Sequence, residues 1–276
     1  MGSVVLSEKP FLKWVGSKRQ LLPELRKHVP VFKRYYEPFV GGGALFFDLA
    51  PSIAFLGDQN ARLITTYIVV RERVEELIAL LKTYPYEKEF YLAMRAKDID
   101  DVSKFSSVEV AAWFIYLNRT GFNGLYRVNQ SGGFNVPFGK YVNPTICNEE
   151  GLRAASKMLQ RARISERDFE GMTMSARAGD FVYFDPPYVP VSATADFTSY
   201  TADGFGAADQ ERLRDHARVL ITRGVHVVLS NSNTPLVRAL YDKKPFVLHE
   251  VQARRSVNSR TAKRGKVGEL IITTSR

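Results

Sequence analysis

Residues 179–190, GDFVYFDPPYVP, limit the possible folds of this chain more than any other stretch. Apolar and aromatic residues run directly into Asp185, and Pro186 and Pro187 then remove two consecutive backbone N–H groups. Because proline cannot donate to a strand ladder, this pattern is typical of a buried strand that ends at the acid. A strand end accounts for the prolines but leaves open why Asp185 and Tyr188 flank them.

Strand-like and helix-like segments alternate at both ends of the chain, and this order predicts a parallel, doubly wound sheet. Early in the chain, a strand runs into EPFVGGG, GALFFDLA is helical, and SIAFLGD is a second strand. After Gly179 the alternation returns as strand DFVYF, helix AADQERLRDHARVL and strand GVHVVLSN, and FVLHEVQ and GELIITT are predicted to pair antiparallel at the sheet edge. The segments between are helical, such as RERVEELIALLKTY, and then rich in Gly, Asn and aromatic residues, which indicates an insertion into one α/β domain.

Charge favours a polyanionic partner. Lys and Arg total 39 against 29 Asp and Glu, which gives a formal net charge of +10. Such a chain suits nucleic acid or an anionic membrane surface, although a merely soluble basic protein remains possible. No apolar run reaches the length of a membrane span, and no basic and apolar leader opens the sequence. Nucleic acid is therefore the favoured partner, and we expect no membrane association.

Cys147 is the single cysteine of the chain. One cysteine excludes a disulfide framework within the chain and a zinc site with several cysteines, and it suits a reducing cytosol. We therefore predict no metal site and a cytoplasmic protein.

FVGGG (39–43) lies where a strand turns into a helix. Gly41 and Gly43 would let a ligand approach the backbone beside the unpaired N–H groups of a helix start. It is not a dinucleotide fingerprint, because Phe46 stands where a third glycine is expected, and no Gly-Lys-Ser/Thr follows. An ordinary tight turn is the alternative.

Asp58 ends the next strand, at about the spacing at which a carboxylate receives two ribose hydroxyls. Together with the glycine turn it indicates a nucleoside cofactor that need not carry a pyrophosphate, and S-adenosylmethionine fits that description. The alternative is that Asp58 caps the helix that begins at ARLITTY.

The acid at the DPPY segment can now be given a chemical role. In a parallel sheet Asp185 would share the ligand-binding edge with FVGGG. Its carboxylate and the Pro186 carbonyl would present two acceptors to an amine such as adenine N6, and Tyr188 would offer a stacking face. Asp185 would also stabilise the positive amine that methyl transfer creates. The alternative is a solvent-exposed acid at a strand-ending turn.

A set of ordered segments resembles the Dam family of DNA adenine-N6 methyltransferases over nearly the whole chain. These segments are FLKWVGSK, EPFVGGG, LGDQN, NRTGFNGLYRVN, FNVPFGKY, DPPYVPVSAT and RRSVNS. The resemblance implies an α/β, Rossmann-like methyltransferase sheet, mostly parallel with an antiparallel edge strand, that carries an inserted, mainly helical target-recognition domain. It places the catalytic domain at 1–61 and 149–276 and the target-recognition, DNA-binding domain at 62–148.

The resemblance also implies S-adenosylmethionine as cofactor and S-adenosylhomocysteine as product. Its cofactor residues are Trp14, Lys18, Pro38, Phe39, Gly41, Gly43, Asp58, Asp168, Phe169 and Asp185. Its catalytic residues are Asp185, Pro186, Pro187 and Tyr188. Within these sets Asp58 holds the ribose, and Phe169 packs on the adenine of the cofactor. Trp14 and Phe169 as plain core, and Asp168 as a surface turn, are the alternatives.

The resemblance also implies double-stranded DNA as the partner, through which a cytoplasmic protein would be associated with the nucleoid. Lys13 is similar to a family lysine that contacts the first guanine of the target. Phe122 resembles the aromatic that inserts beside the flipped adenine, and Asn123 would meet the orphaned thymine. Leu125 and Arg127 would read bases, Arg127 by a bidentate grip on guanine. Without the resemblance, the GFNGLYR loop is a hairpin with turn residues.

The remaining DNA-binding residues that the resemblance implies are Asn129, Pro137, Lys140, Ser192, Arg254 and Arg255. The basic segment 253–266 would grip phosphates, or would be a solvated loop. The matches suggest GATC as the target, with Phe122 and Lys140 departing from the tyrosine and arginine often found there. The alternatives are a methyltransferase of the same chemistry that acts on another recognition sequence or on RNA, and an inactive DNA-binding regulator. We infer no obligatory protein partner.

Overall fold

The computed structural model describes residues 9–14, 16, 18–97, 99–101, 104–189, 205–254 and 266–274. Its α-helices are α1 (Leu22–Arg26), α2 (Ala44–Leu49), α3 (Ala61–Glu72), α4 (Val74–Leu81), α5 (Lys88–Arg95), α6 (Ser107–Thr120), α7 (Glu149–Leu159), α8 (Phe169–Thr173), α9 (Ala207–Thr222) and α10 (Pro235–Tyr241). Its strands are β1 (Tyr35–Glu37), β2 (Ala54–Asp58), β3 (Ala162–Glu166), β4 (Phe181–Phe184), β5 (His226–Ser232), β6 (Phe246–Arg254) and β7 (Lys266–Thr274).

The strands form a seven-stranded sheet in the order β3-β2-β1-β4-β5-β7-β6. β1 pairs in parallel with β2 and β4, and β4 pairs in parallel with β5. β7 pairs antiparallel with both β5 and β6. The predicted fold class is confirmed: a mixed α/β, Rossmann-like sheet, mostly parallel, with an antiparallel edge.

The central strand β4 explains why an uninterrupted apolar run precedes the acid. All four of its residues, Phe181–Phe184, are buried, as expected for a parallel strand covered on both faces. Val182 and Phe184 pack in a core cluster with Leu213 and Ala217 of α9. Because β2, β1, β4 and β5 run parallel, the residues that follow their carboxyl ends stand at one edge of the sheet.

The chain divides into two compact units. The first comprises residues 1–18, 41–50 and 58–166, and the second comprises residues 19–40, 51–57 and 167–276. The first unit contains α2 to α7. The predicted functional division into residues 62–148 and the remainder follows other boundaries and stays a prediction.

One helical segment of the first unit differs from its sequence expectation. RERVEELIALLKTY has a continuous helical pattern, whereas α3 ends at Glu72 and α4 begins at Val74. Arg73 interrupts them with a φ of −134° and a ψ of 37°. In the part of the chain that the structure describes, no helix is long and apolar enough to cross a membrane.

An ion pair in the second unit joins the residues that precede β1 and β4. Arg34 Nε lies 3.0 and 3.1 Å from the two carboxylate oxygens of Asp180, and its Nη2 lies 2.5 Å from Oδ2. The Arg177 backbone N–H donates to the same carboxylate at 2.9 Å. Only 1% of the Asp180 side chain is exposed, so this charge depends on its partners.

Replacing Arg34 by Met should lower the free energy of unfolding by about 3 kcal/mol, because it leaves a buried carboxylate without its cation. Equilibrium urea unfolding measures the change. Arg73→Met, which breaks an exposed pair with Glu76, is the control and should have little effect. Equal, small effects of both variants would show that the Arg34 pair does not hold the strands.

Candidate active site

Asp58 is held by backbone groups of the first unit. Its Oδ2 accepts from the Gly41 N–H at 3.2 Å, and its Oδ1 accepts from the Asn60 N–H at 3.0 Å. Burial raises the pKa of Asp58, while backbone hydrogen bonds at 41, 59 and 60 lower it in part. A carboxylate has about four acceptor positions, so these bonds do not exhaust Asp58.

The alternative role for Asp58, as the cap of α3, belongs to Asn60 instead. The Asn60 side-chain oxygen accepts from the Leu63 N–H at 3.1 Å at the start of that helix. The carboxylate at the end of β2 therefore joins Gly41 of the glycine turn to the backbone of Asn60, and Asn60 caps the helix.

The glycine turn has a steric requirement that its sequence does not reveal. Gly41 and Gly43 have φ values of 46° and 66°, in the left-handed region. A Cβ on Gly41 would lie 2.6 Å from Trp14 Nε1, and one on Gly43 would lie 2.8 Å from the Tyr67 hydroxyl. That hydroxyl also donates to the Gly41 carbonyl at 3.0 Å. Close approach to the turn is thus made by Trp14 and Tyr67 of the protein itself.

The two other predicted cofactor residues of the first unit are partly or fully enclosed. Trp14 is half-buried, and its ring stacks against Phe114 and Tyr126 with centroids at 6.2 and 5.9 Å. Lys18 is 6% exposed, and its ammonium donates to the Gly16 carbonyl at 2.6 Å.

In the second unit, the predicted aromatic residues lie together. The half-buried Phe39 stacks on Phe169 at 5.7 Å with an interplanar angle of 29°, and Pro38 beside it is buried. Phe169 is 1% exposed. Its interpretation as plain core therefore matches its burial, while Phe39 retains an exposed face.

Asp168 has a defined structural role. Its Oδ1 accepts from the backbone N–H groups of Glu170 and Gly171 at 3.1 and 3.0 Å, which caps α8. Arg212 donates to its Oδ2 at 2.6 Å, and the guanidinium carbon lies 4.5 Å from the Phe169 ring centroid. The capped acid and the cation together fix the start of α8, where Phe169 is the first residue.

Sequence reasoning missed His216, which packs beside Phe169. Thr173 donates its hydroxyl to the Phe169 carbonyl at 2.7 Å, so His216 Nε2, 2.6 Å from the same oxygen, must be the donor of the second bond. Burial lowers the pKa of His216 to about 4. The helical spacing of Leu213, Ala217 and Leu220 could have placed it against the core.

The DPPY segment follows β4 in the second unit. Asp185 Oδ1 accepts from the Ser230 hydroxyl at 2.8 Å. The Tyr188 hydroxyl donates to Glu269 Oε2 at 2.9 Å.

The two prolines of this segment differ in burial: Pro186 is buried and Pro187 is exposed. The Pro187 carbonyl accepts from Gln210 Nε2 at 3.0 Å. Ser230, Glu269 and Gln210 are further residues that sequence reasoning did not identify, because they lie on distant elements.

The GFNGLYR loop is a hairpin, with bridges between Gly121 and Phe138 and between Val128 and Phe134. This matches the local interpretation of its turn residues. Predicted DNA-binding side chains are exposed along it, and Leu125 is half-buried. The exposed residues are Phe122 (40%), Asn123, Arg127, Asn129, Pro137 and Lys140.

Two of these side chains are already ordered by the hairpin. Arg127 Nε donates to Asn135 Oδ1 at 2.6 Å. Asn129 Oδ1 accepts from the Ser131 and Gly133 N–H groups at 3.1 and 2.8 Å, so this oxygen holds the turn itself.

The position of Lys13 is set by the helix α6 and the hairpin. Its backbone N–H donates to Asn118 Oδ1 at 2.9 Å, and Nζ lies 4.4 Å from the Tyr141 ring centroid. Burial and the charge of Arg119 lower its pKa.

Some predicted residues cannot be placed. Ser192 and Arg255 lie outside the described residues, and Arg254 is described only as the backbone end of β6. Among the described residues, no group of three or more His, Cys, Asp or Glu side chains could hold a metal ion.

A parallel α/β sheet with a glycine turn after one strand and acids after its two neighbours defines a Rossmann-like methyltransferase. The model of the D12 class N6 adenine-specific DNA methyltransferases matches residues 14–257, and the chain belongs to this family of enzymes. The resemblance that the sequence motifs indicate is thereby confirmed.

Curated relatives agree over nearly their full lengths. The chain is 46% identical to the Type II methyltransferase M1.LlaDCHI of Lactococcus lactis, covering 96% of this chain and 95% of the relative. It is 41% identical to the Type II methyltransferase M.MjaIII of Methanocaldococcus jannaschii, covering 96% and 98%. It is 38% identical to the DNA adenine methylase of Escherichia coli, covering 95% and 94%.

Gly41→Ala tests whether the glycine turn must admit Trp14. The substitution combines a left-handed backbone with an indole clash, whereas Gly132, at a φ of 78°, has nothing within 4 Å of its Cβ position. We expect Gly132→Ala to cost roughly 1 kcal/mol of unfolding free energy from backbone strain alone. Gly41→Ala should cost more and should shift the tryptophan fluorescence. Matched losses without a fluorescence change would contradict the steric account.

His216 should make stability depend on pH. Its folded-state pKa, about 4, lies below the ordinary 6.5, so its contribution is present above pH 6.5 and is lost as the pH falls toward 4. Between these values wild type should lose up to about 1.4 kcal/mol per pH unit relative to His216→Gln. Unfolding curves at several pH values measure this difference. His226→Gln, at an exposed site, is the control, and parallel curves for wild type and His216→Gln would refute the assignment.

Proposed function

We propose that this enzyme transfers a methyl group from S-adenosylmethionine to N6 of an adenine flipped out of duplex DNA, with GATC as its target. S-adenosylhomocysteine is the second product. The observation that carries the proposal is Asp185, which follows the central parallel strand and is held there by Ser230, with Tyr188 three residues on.

The residues present fit the cofactor. In the first unit, Asp58 retains acceptor capacity for ribose hydroxyls beside a turn whose glycines have positive φ. In the second unit, the partly exposed Phe39, stacked on Phe169, offers an apolar face for a purine. S-adenosylmethionine, when bound, supplies an electrophilic methyl group.

The chain's own part in the reaction is to position and polarise adenine N6. The Asp185 carboxylate and the Pro186 carbonyl accept its two hydrogens, which draws the nitrogen lone pair out of the ring toward the methyl group. Asp185 would then stabilise the positive charge that develops on the amine and accept the proton that the methylated amine must lose, which passes on to solvent. Alignment of donor and acceptor contributes much of the rate.

Tyr188 and Phe122 would offset the cost of base flipping, which is a few kcal/mol. The half-buried Tyr188 ring is the stacking face for the extruded adenine. Phe122, 40% exposed on the hairpin, would fill the space that the base leaves in the duplex. Asn123, also exposed, would meet the unpaired thymine.

Several observations support DNA as the substrate. The relatives named DNA adenine methylases match over nearly the whole chain, and the net charge of the chain is +10. The hairpin, which lies within residues 62–148, carries its candidate DNA contacts on exposed side chains. Phosphate contacts from Lys140 and the basic segment 253–266 would make binding fall steeply with salt. The proposal of GATC as the target rests only on the resemblance of the hairpin residues to those of the Dam family. Two Type II methyltransferases are more similar than the adenine methylases, so another recognition sequence is the second candidate.

Asp185→Asn should abolish methyl transfer to a GATC duplex and leave the DNA dissociation constant within about twofold, because the carboxylate acts on the reacting amine. Labelled-methyl transfer and anisotropy measure the two quantities. Asp242→Asn, at an exposed acid after α10, is the control. Retained turnover in Asp185→Asn would refute the assignment of the catalytic acid.

Competition between substrates separates the alternatives. Duplex GATC should be methylated about 5- to 150-fold faster than duplexes with one changed outer base, since a bidentate arginine contact discriminates by about 1–3 kcal/mol. RNA of the same sequence should compete poorly. Preference for RNA, or DNA binding without any transfer, would favour the RNA enzyme or the inactive regulator.

A further inference from the structure

The DPPY segment is fixed by side chains from elements far away in the sequence. Ser230 of β5 is 45 residues from Asp185, and Glu269 of β7 is 81 residues from Tyr188. All four residues belong to the second unit. None of the chemistry described so far assigns a role to Ser230 or Glu269.

Glu269 reaches Tyr188 because of the antiparallel edge of the sheet. β7 pairs with β5 in a register that places Glu269 opposite Ser232 and Leu270 opposite Asn231. The Tyr188 hydroxyl donates to Glu269 Oε2 at 2.9 Å. Rotation of the ring about χ2 leaves the para hydroxyl oxygen in place, so a hydrogen bond at this oxygen fixes χ1 and with it the direction in which the ring extends.

Burial keeps the Tyr188 hydroxyl protonated. Burial and the neighbouring carboxylates of Asp185 and Glu269 raise the pKa of Tyr188 well above its ordinary value. The phenol is therefore a neutral donor to Glu269, and a change of ring orientation would require breaking a charge-assisted hydrogen bond.

Ser230 orients Asp185 through a series of hydrogen bonds in which each donor and acceptor is fixed. A carboxylate only accepts, so Ser230 donates its hydroxyl proton to Asp185 Oδ1. The Tyr183 hydroxyl, 2.8 Å from Ser230 Oγ, must then donate to Ser230. Tyr183 and Ser230 are both buried within neighbouring strands.

A purely structural strand would place apolar side chains at these positions. Tyr183 lies in the run FVYF, whose other residues are apolar, and Ser230 follows VVL as the first of three buried polar residues that end β5. Burying two hydroxyl groups costs free energy unless they are hydrogen-bonded, and here the chain ends on the acid at the strand terminus. Polar groups retained in this way point to a function at the acid.

We propose that Glu269 and Ser230 are positioning residues for methyl transfer. Glu269 sets the direction of the Tyr188 side chain, and so the position of the ring against which adenine stacks, and Ser230 sets the direction of the Asp185 carboxylate. The inference rests on the proposed base-flipping function of the site.

A double-mutant cycle tests the positioning role of Glu269. Glu269→Ala and Tyr188→Phe should each lower the single-turnover methylation rate roughly tenfold, and the double variant should lose no more than either, because both remove one hydrogen bond. Glu269→Gln, which retains an acceptor oxygen, should recover most of the rate. The duplex dissociation constant should stay within about twofold of wild type.

Fluorescence of 2-aminopurine at the target position gives a readout that a merely structural role would not change. Wild type should raise the signal when the base leaves the stack. Glu269→Ala should alter the emission of the extruded base at unchanged thermal midpoint, because the stacking ring is no longer fixed. Tyr188→Phe should reproduce the effect, and it serves as the second variant if Glu269→Ala does not fold.

The positioning role of Ser230 predicts a different experimental result. Ser230→Ala and Tyr183→Phe should lower the single-turnover rate, and their effects should not add. Tyr183→Phe should leave the 2-aminopurine signal unchanged, whereas Ser230→Ala also removes a hydrogen bond to the Tyr188 side chain and is assessed by the rate. Controls are available on the same unit. Glu250→Ala removes an exposed carboxylate of β6, and Tyr241→Phe removes a buried hydroxyl without a hydrogen-bond partner among the described residues. Both control variants should keep wild-type rates.

The outcomes separate this inference from the proposed function. No 2-aminopurine increase with wild type would overturn base flipping itself. An increase with wild type, combined with wild-type rates in Glu269→Ala and Ser230→Ala, would overturn the positioning roles alone. Fully additive losses in the two cycles would also contradict them, since the partners would then act independently.

Discussion

The acids at the two ends of β4 are the constraint on which the second unit depends. Asp180 precedes this strand and Asp185 follows it, and between them lie four buried residues that pair in parallel with β1 and β5. Arg34 and backbone groups neutralise and satisfy Asp180. Asp185 instead accepts from the neutral hydroxyl of Ser230. The first acid thus fixes the strand, and the second is held in a defined direction at the edge where parallel sheets bind ligands.

The parallel strands explain why the predicted cofactor residues lie far from the predicted catalytic residues in sequence. β1 and β2 end in the glycine turn and in Asp58, and β4 ends in the DPPY segment. Parallel strands need long crossover connections, so neighbouring strand ends are separated by many residues along the chain. The antiparallel strand β7 adds Glu269 from the other end of the sequence. Backbone and side-chain hydrogen bonds at this edge therefore join residues that no local motif connects.

Sequence reasoning located the elements with strong periodicity. FVYF, VHVVLSN and the helix AADQERLRDHARVL lie where their patterns predicted, and the antiparallel edge pair is confirmed. It did not specify α7 or β3, which lie directly after the predicted insertion ends at residue 148. The RERVEELIALLKTY pattern missed the interruption at Arg73, because hydrophobic spacing continues across a single non-helical residue.

Site prediction depended on what local sequence can encode. Asp58, Asp185 and the glycines were identified because their types are unusual at strand ends. The partners that orient them were not, since Ser230, Glu269 and Gln210 meet the DPPY segment only through tertiary packing. Tyr67 and Trp14 approach the glycines in the same way, so the function of Gly41 in packing was invisible until the fold was known.

The most direct measurement is a map of every N6-methyladenine in plasmid DNA that the protein has modified in the presence of S-adenosylmethionine. The account predicts methylation of the adenine in GATC on both strands, and none in DNA treated with Asp185→Asn. N6-methyladenine confined to another sequence would refute the proposed target and leave the chemistry intact. Its absence from all adenines, with folded protein that binds the cofactor, would contradict the central claim.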